Sequence, residues 1–156
     1  MTFLQQGELM KFHPFRLEAR DLSLALFAVS LMLPAINTRN EVWEFESVTY
    51  GYEALCFGFL ALLHGSAAWL ANLFFIVAFF SDKRARRRLI SALCATLLGL
   101  SSYLYTNMWN DGDGRVTVTG YSYGFYIWLL SFLWLVLLAT RKTIRDSQAG
   151  ANLDSR

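Results

Sequence analysis

Four long apolar segments, residues 22–36, 54–80, 89–106 and 121–140, contain no Asp, Glu, Lys or Arg. Hydrophobic residues make up 55% of the chain, too large a share for an ordinary soluble domain. A helix of about 20 apolar residues crosses the roughly 30 Å core of a bilayer, where lipid cannot hydrogen-bond to an exposed backbone. The sequence therefore predicts an all-α polytopic membrane protein, with a four-helix transmembrane bundle over residues 22–140.

The first of these segments is short for a span, and Pro34 lies near its end. A basic leader followed by a brief apolar stretch is also typical of a signal peptide. However, Glu18 and Asp21 interrupt the leader, and no small-x-small cleavage motif follows Leu33. We therefore expect a retained first span, with the proline in its last turn.

Basic residues are distributed very unevenly between the predicted loops. Twelve of the 14 Lys and Arg residues lie in 1–21, 81–88 and 141–156, whereas the other two loops are acidic. By the positive-inside rule, both termini are predicted to be cytoplasmic. The tight basic loop 81–88 is interpreted as a topology signal, because nucleic-acid binding needs an extended surface with interleaved aromatic residues. No nucleic-acid partner is expected.

The two ends of the chain are expected to lie outside the bundle. Residues 1–21 mix apolar and basic positions and are predicted to form a cytoplasmic segment at the membrane surface. The tail 141–156 is rich in Ser, Asp, Ala and Gly and is predicted to be disordered.

The two predicted outer loops carry β-strand patterns. Residues 42–50 partly alternate in polarity, and 115–119 alternate β-branched and polar residues after a strong turn signal at 110–114. These patterns predict a small extracytoplasmic sheet, in the form of a β-hairpin cap over the bundle. The candidate residues for interaction with a partner in these loops are Trp43, Glu44, Glu46, Asp111 and Asp113.

Asp111 and Asp113 resemble the start of a calcium loop, in which acidic ligands alternate before a glycine. No further acidic ligand follows and no glutamate closes the loop, so a plain turn is favoured and no metal is predicted.

His64 and Asn72 are polar candidates inside the second segment, two helical repeats apart on one face. Hydrocarbon cannot satisfy either side chain, so both are expected to hydrogen-bond across helices. Haem ligation or proton transfer would need a second partner, and the other histidine, His13, precedes the first span. No cofactor is therefore predicted.

Small residues recur at four-residue spacing, at Ala61 with Gly65 and at Ala95 with Gly99. Such pairs allow helices to approach closely, so they predict packing within the bundle first and self-association second.

Aromatic residues cluster at the outer ends of the last two segments. An aromatic belt at the membrane surface explains them. A quinone or lipid pocket is the alternative, but no convergent polar groups are evident to orient a headgroup. The residues of this cluster are Tyr103, Tyr105, Trp109, Tyr121, Tyr123, Tyr126 and Trp128.

Three short motifs stand out: Tyr-Glu-Ala-Leu at 52–55, Ala-Trp-Leu-Ala-Asn at 68–72 and Val-Thr-Gly-Tyr at 118–121. On these motifs, over residues 53–126, the chain resembles small uncharacterised bacterial inner-membrane proteins with four spans. Those proteins often have a tryptophan before the Glu-Ala-Leu and a proline after the Asn, where this chain has Tyr52 and Leu73. The resemblance implies a bacterial four-span protein and no particular activity.

The sequence contains no metal cluster, P-loop, nucleotide fingerprint or nucleophile motif, so no catalytic residue is predicted. The favoured hypothesis is a non-enzymatic accessory subunit that lies in the lipid bilayer and binds a membrane-protein partner. The alternatives are an immunity protein against a membrane-acting toxin, and a homo-oligomeric channel or small-solute transporter.

Overall fold

A computed structural model describes residues 18–41, 44–81, 85–105, 107–110 and 115–154. Five α-helices, two 3₁₀ helices and four strands follow one another along these residues. In chain order they are α1 (Asp21–Leu31), β1 (Pro34–Asn40), β2 (Phe45–Tyr50), α2 (Gly51–Phe57), η1 (Gly58–His64), α3 (Leu70–Phe80), α4 (Ala85–Leu100), η2 (Ser101–Leu104), β3 (Asn107–Asn110), β4 (Arg115–Tyr121) and α5 (Tyr123–Asp154).

The prediction of an all-α, four-helix transmembrane bundle is wrong. The described residues combine helices with an antiparallel sheet. By length and composition, α5 is the one helix among them that could cross a membrane, over the 27 residues from Tyr123 to Ala149. The fold therefore has one candidate span in place of the four expected.

Each of the other three apolar segments is shortened by a local feature of the backbone. Helix α1 has 11 residues, about 16 Å of rise, because Pro34 begins a strand and does not sit in a helical turn. The second segment is divided where Gly65 adopts a left-handed φ of 86°, and α3 begins only at Leu70. The third segment ends in the 3₁₀ turn η2.

Helix α4 also begins earlier than the predicted span, at Ala85. Arg88, which the charge pattern placed in an inner loop, is buried inside α4. Its Nε donates a hydrogen bond to the carbonyl of Ala78 at 3.3 Å. This contact ties the first turn of α4 to the end of α3.

The two predicted outer loops do contain strands, which pair in one four-stranded sheet of order β2-β1-β4-β3. Strand β1 pairs antiparallel with both β2 and β4, so that Arg39 lies opposite Glu46 on one side and Thr117 on the other. The Ser122 hydroxyl donates to Asn37 Oδ1 at 3.1 Å, which links β1 to the start of α5. The sheet is therefore larger than the expected hairpin, and it includes residues of the predicted first span.

The helical core contains small and aromatic side chains. Phe75 stacks on Phe27 of α1 with ring centroids 4.7 Å apart, and it contacts Phe132 of α5 at 5.4 Å. Ala71, Ala78, Ala92 and Ala95 are buried around these rings. Because alanines occupy the contact positions, α4 approaches both α3 and α5 closely.

Helix α5 continues to Asp154, so the described part of the tail predicted to be disordered is helical. Lys, Arg, Gln and Ala, all good helix formers, recur after residue 140. Of the predicted N-terminal segment, residues 1–17 lie outside the described residues. At its described end, Arg20 pairs with Glu18 at 2.8 Å, and Trp134 of α5 donates to the carbonyl of Ala19.

Large apolar side chains are exposed on the outer faces of the helices, whereas several polar side chains are buried. Ser23, Ser30, Asn72 and Ser131 are at most 6% exposed. Soluble proteins show the opposite distribution. The exposed apolar residues on α1, α3, α4 and α5 include Leu22, Val29, Leu73, Ile76, Leu93, Leu97, Leu130, Leu133 and Leu137.

Candidate ligand-binding cavity

A cavity of about 450 Å³ lies between the sheet and the helices, at the end of α5 that follows β4. Strands β1, β2 and β4 contribute to one side of it, and α2, η1 and the start of α3 contribute to another. Gly124, Phe125 and Trp128 of α5 also line it, as do residues at the end of α1 and around η2. Its volume is within the range of small-molecule sites in proteins, roughly 300–1,000 Å³.

Asn72 is the central polar residue of this cavity. Its side-chain amide donates to the carbonyl of Trp69 at 3.1 Å, and its Oδ1 accepts from the indole of Trp128 at 2.9 Å. Asn72 is 6% exposed, so these bonds satisfy a polar group that is costly to bury unpaired. The amide thereby connects the start of α3 to α5, as expected of a polar residue that bonds across helices.

Trp69 lines the cavity and packs against η1. Its indole N–H donates to the carbonyl of Leu55 at 2.8 Å. Gly58 makes this packing possible, because a Cβ at that position would lie 3.0 Å from the Trp69 ring. The ring also meets Phe59 edge to face, with centroids 6.3 Å apart.

Three aromatic residues form the wall contributed by β4 and α5. Tyr121 stacks on Phe125 with ring centroids 4.2 Å apart. The ring centroids of Phe125 and Trp128 are 5.7 Å apart. The Tyr121 hydroxyl donates to the carbonyl of Ser102 at 2.5 Å. Burial raises the pKa of Tyr121 above its ordinary value, so the phenol stays neutral and keeps donating at physiological pH.

Glu53 is the one charged residue among the described residues that line the cavity. Its carboxylate accepts from the backbone N–H of Tyr50 at 2.8 Å, in a capping box at the start of α2. It also accepts from the hydroxyl of Tyr52 at 3.3 Å. The negative charge of Glu53 is the largest of the causes that raise the pKa of Tyr52.

The structure brings two of the predicted site residues to the cavity, Asn72 and Ala61, which both line it. Gly65 is exposed in the turn after η1, whereas Ala95 is fully buried on α4. Gly99 packs against α5, where a Cβ would meet Leu129, Phe132 and Trp128. The side chain of His64 lies outside the described residues.

The predicted outer-loop residues are not gathered into a site. Glu44 and Glu46 are exposed beside and within β2, and Glu44 has a positive φ of 48°. Trp43, Asp111 and Asp113 lie outside the described residues. Across the described part of the chain, His, Cys, Asp and Glu side chains form no group of three that could hold a metal ion.

Sequence reasoning missed Glu53, Trp69 and Trp128 as members of one site. Asn72 and Trp128 are 56 residues apart, and no local pattern joins them. The aromatic pattern at 121–128 is equally typical of a membrane belt. The polar group of the pocket, Asn72, lies on another segment, so neither pattern by itself predicts the site.

No protein family, curated protein or solved structure matches this chain. The resemblance to small four-span bacterial proteins therefore stays a prediction.

The hydrogen bond between Asn72 and Trp128 should contribute measurably to stability. Trp128→Phe should lower the free energy of unfolding by about 0.5–1.5 kcal/mol, and Asn72→Ala by about 1–3 kcal/mol, since it leaves the indole unpaired. Combined, the two changes should lower it by less than the sum of the single effects, which reversible unfolding in mixed micelles would measure. As a control, the effects of Asn72→Ala and Trp134→Phe on the free energy of unfolding should be additive. Full additivity with Trp128→Phe would show that the bond is absent.

Proposed function

We propose that this protein is a membrane-associated, non-catalytic binding protein that holds an apolar small molecule in the cavity, as an accessory subunit of a membrane assembly. The observation that carries this proposal is the cavity itself. It combines an aromatic wall with a few fixed polar groups, which is the composition of a small-molecule site.

The surface of the helices supports membrane association. In the most apolar stretch of α5, 39% of the helix is buried against the rest of the protein, so most of it is free to contact lipid. A core helix of a soluble protein would be mostly buried. The exposed apolar faces of α1, α3 and α4 add to this surface and lie against the acyl chains around α5.

The charge at the two ends of α5 supports one orientation in the inner membrane of a bacterium. Arg141, Lys142 and Arg145 follow the uncharged stretch 123–140, whose 18 residues rise by about 27 Å. The positive-inside rule directs this end to the cytoplasm. The sheet and the cavity then lie at the opposite, extracytoplasmic end, near the level of the lipid headgroups.

The side chains of the cavity favour binding over catalysis. The described residues that line the cavity with Glu53 include no histidine, cysteine, lysine or arginine. An acid–base or nucleophilic mechanism needs a second group within hydrogen-bond reach of the first. The hydroxyls of Ser30 and Tyr121 already donate hydrogen bonds to backbone carbonyls.

Cavity filling tests this proposal. The probe is 1-bromo-4-neopentylbenzene, whose bromine quenches tryptophan fluorescence, and the wall contains Trp69 and Trp128 as reporters. Ala61→Phe places a ring in the cavity and should weaken saturable quenching about tenfold, equivalent to about 1.4 kcal/mol. The matched control is Leu63→Phe on the same 3₁₀ helix, where Leu63 is 79% exposed. Equal quenching curves for wild type, Ala61→Phe and Leu63→Phe would contradict a binding cavity.

A further inference from the structure

Among the described residues that line the cavity, Glu53 alone is charged, and the fold holds its carboxylate in place. One carboxylate oxygen accepts the backbone N–H of Tyr50, and the other accepts the hydroxyl of Tyr52. An ionised carboxylate has about four acceptor sites, so these two bonds leave acceptor capacity for a further group. Both bonds fix the direction of the carboxylate and neither neutralises its charge.

Within the described part of the chain, no ion pair joins Glu53 to a lysine or arginine. Arg20 pairs with Glu18 and with Asp21 at the far end of α1. The residues that line the cavity include no other charged side chain. A cation that binds beside Glu53 therefore meets a negative charge on a partly exposed side chain, which attracts it.

The aromatic residues of the same cavity suit the same kind of ligand. Trp69, Tyr105, Tyr121 and Trp128 all line it. The face of an aromatic ring carries a negative quadrupole and attracts cations, and it attracts them more strongly where water is excluded. The carboxylate and the rings thus favour one sign of charge on an otherwise apolar molecule.

We propose that the ligand of this cavity is a hydrophobic organic cation, such as a quaternary ammonium compound with an aromatic or alkyl body. This inference rests on the proposed function, because it names the chemical class that the binding protein takes. The cationic head lies near Glu53 and the aromatic rings, and the apolar body fills the space between Ala61 and Phe125. Anionic amphiphiles are disfavoured by the same carboxylate.

Two probes of equal shape test the charge preference. The cation is (4-bromobenzyl)trimethylammonium, and 1-bromo-4-neopentylbenzene is its neutral isostere, with carbon in place of nitrogen. Both are titrated against the protein in nanodiscs of uncharged phosphatidylcholine, with tryptophan quenching as the readout. Comparing variants with the same probe cancels the partition of that probe into lipid.

Glu53→Gln is the decisive variant, because glutamine can also complete a capping box and so preserves the start of α2. It should weaken binding of the cation about tenfold and change binding of the neutral isostere less than twofold. Glu46→Gln, on an exposed strand position outside the cavity, should change neither. An unchanged melting temperature of Glu53→Gln would confirm that the fold is preserved.

The outcomes separate this inference from the proposed function. If Glu53→Gln binds both probes as wild type does, the cation preference is overturned and the cavity remains a binding site. If the cation binds Ala61→Phe as well as wild type, it binds elsewhere and the inference fails. If neither probe gives quenching that Ala61→Phe weakens, the proposed function and the inference fail together.

Discussion

Replacing Phe132 by alanine should lower the free energy of unfolding by about 3–5 kcal/mol, the usual effect of removing a buried phenylalanine ring. Phe132 is fully buried where α3, α4 and α5 meet. Its ring lies 5.4 Å from the ring of Phe75 and 4.6 Å from that of Trp128, measured between centroids. The alanine variant would leave a void that the surrounding helices can fill only by moving.

Leu133 provides the matched control, one residue further along α5. It is 45% exposed on the outer face, so Leu133→Ala removes less packing. Denaturant unfolding in mixed micelles should therefore show a much larger loss for Phe132→Ala than for Leu133→Ala. Equal losses would contradict the burial of Phe132 at the helix junction.

Gly51→Ala should destabilise the protein by about 1–3 kcal/mol, the range for inserting a methyl group into a packed site. A Cβ at Gly51 would clash with the carbonyl oxygen of Ser30 and lie 2.8 Å from the Cα of Leu31. These atoms belong to the backbone of α1 and cannot rotate away. The N–H of Gly51 also donates to the carbonyl of Leu33 at 3.0 Å, so separating α1 from α2 weakens that bond.

Gly120→Ala is the comparison for this substitution. A Cβ at Gly120, in β4, would have no heavy atom within 4 Å. Its effect should be within about 0.5 kcal/mol, as for other substitutions away from packed sites. Melting temperatures measured in the same detergent should be lower for Gly51→Ala than for Gly120→Ala. A Gly51→Ala variant as stable as Gly120→Ala would mean that α1 and α2 are not in close contact.

The sequence predicted the positions of the apolar helices more accurately than their lengths. Helices α1, α3, α4 and α5 each overlap a predicted segment, because apolar runs of this kind are helical wherever the backbone allows. Hydropathy does not register the strand that starts at Pro34, the left-handed turn at Gly65, or the 3₁₀ turn η2 after α4. Because of these three features, the structure has one long apolar helix with shorter neighbours and not four spans.

The candidate site shows a different limit. Asn72 could be identified from sequence, since a carboxamide in an apolar segment needs a partner. Its partner Trp128 and the carboxylate of Glu53 could not, because their meeting depends on how α2, α3 and α5 are arranged. Single-segment patterns identify a polar group, whereas a cavity arises only from the packing of several segments.

In the proposed arrangement, α5 crosses the membrane with the sheet and the cavity on the extracytoplasmic side. Labelling of single cysteines with a membrane-impermeant maleimide tests this arrangement. The background replaces Cys56 and Cys94 by alanine, and the probes are Glu46→Cys on β2 and Arg145→Cys near the end of α5, both at exposed positions.

In intact bacterial spheroplasts, Glu46→Cys should be labelled, and Arg145→Cys should be labelled only after the membrane is permeabilised. Labelling of both cysteines in intact spheroplasts, or protection of both, would place the two ends of α5 on the same side and contradict this arrangement.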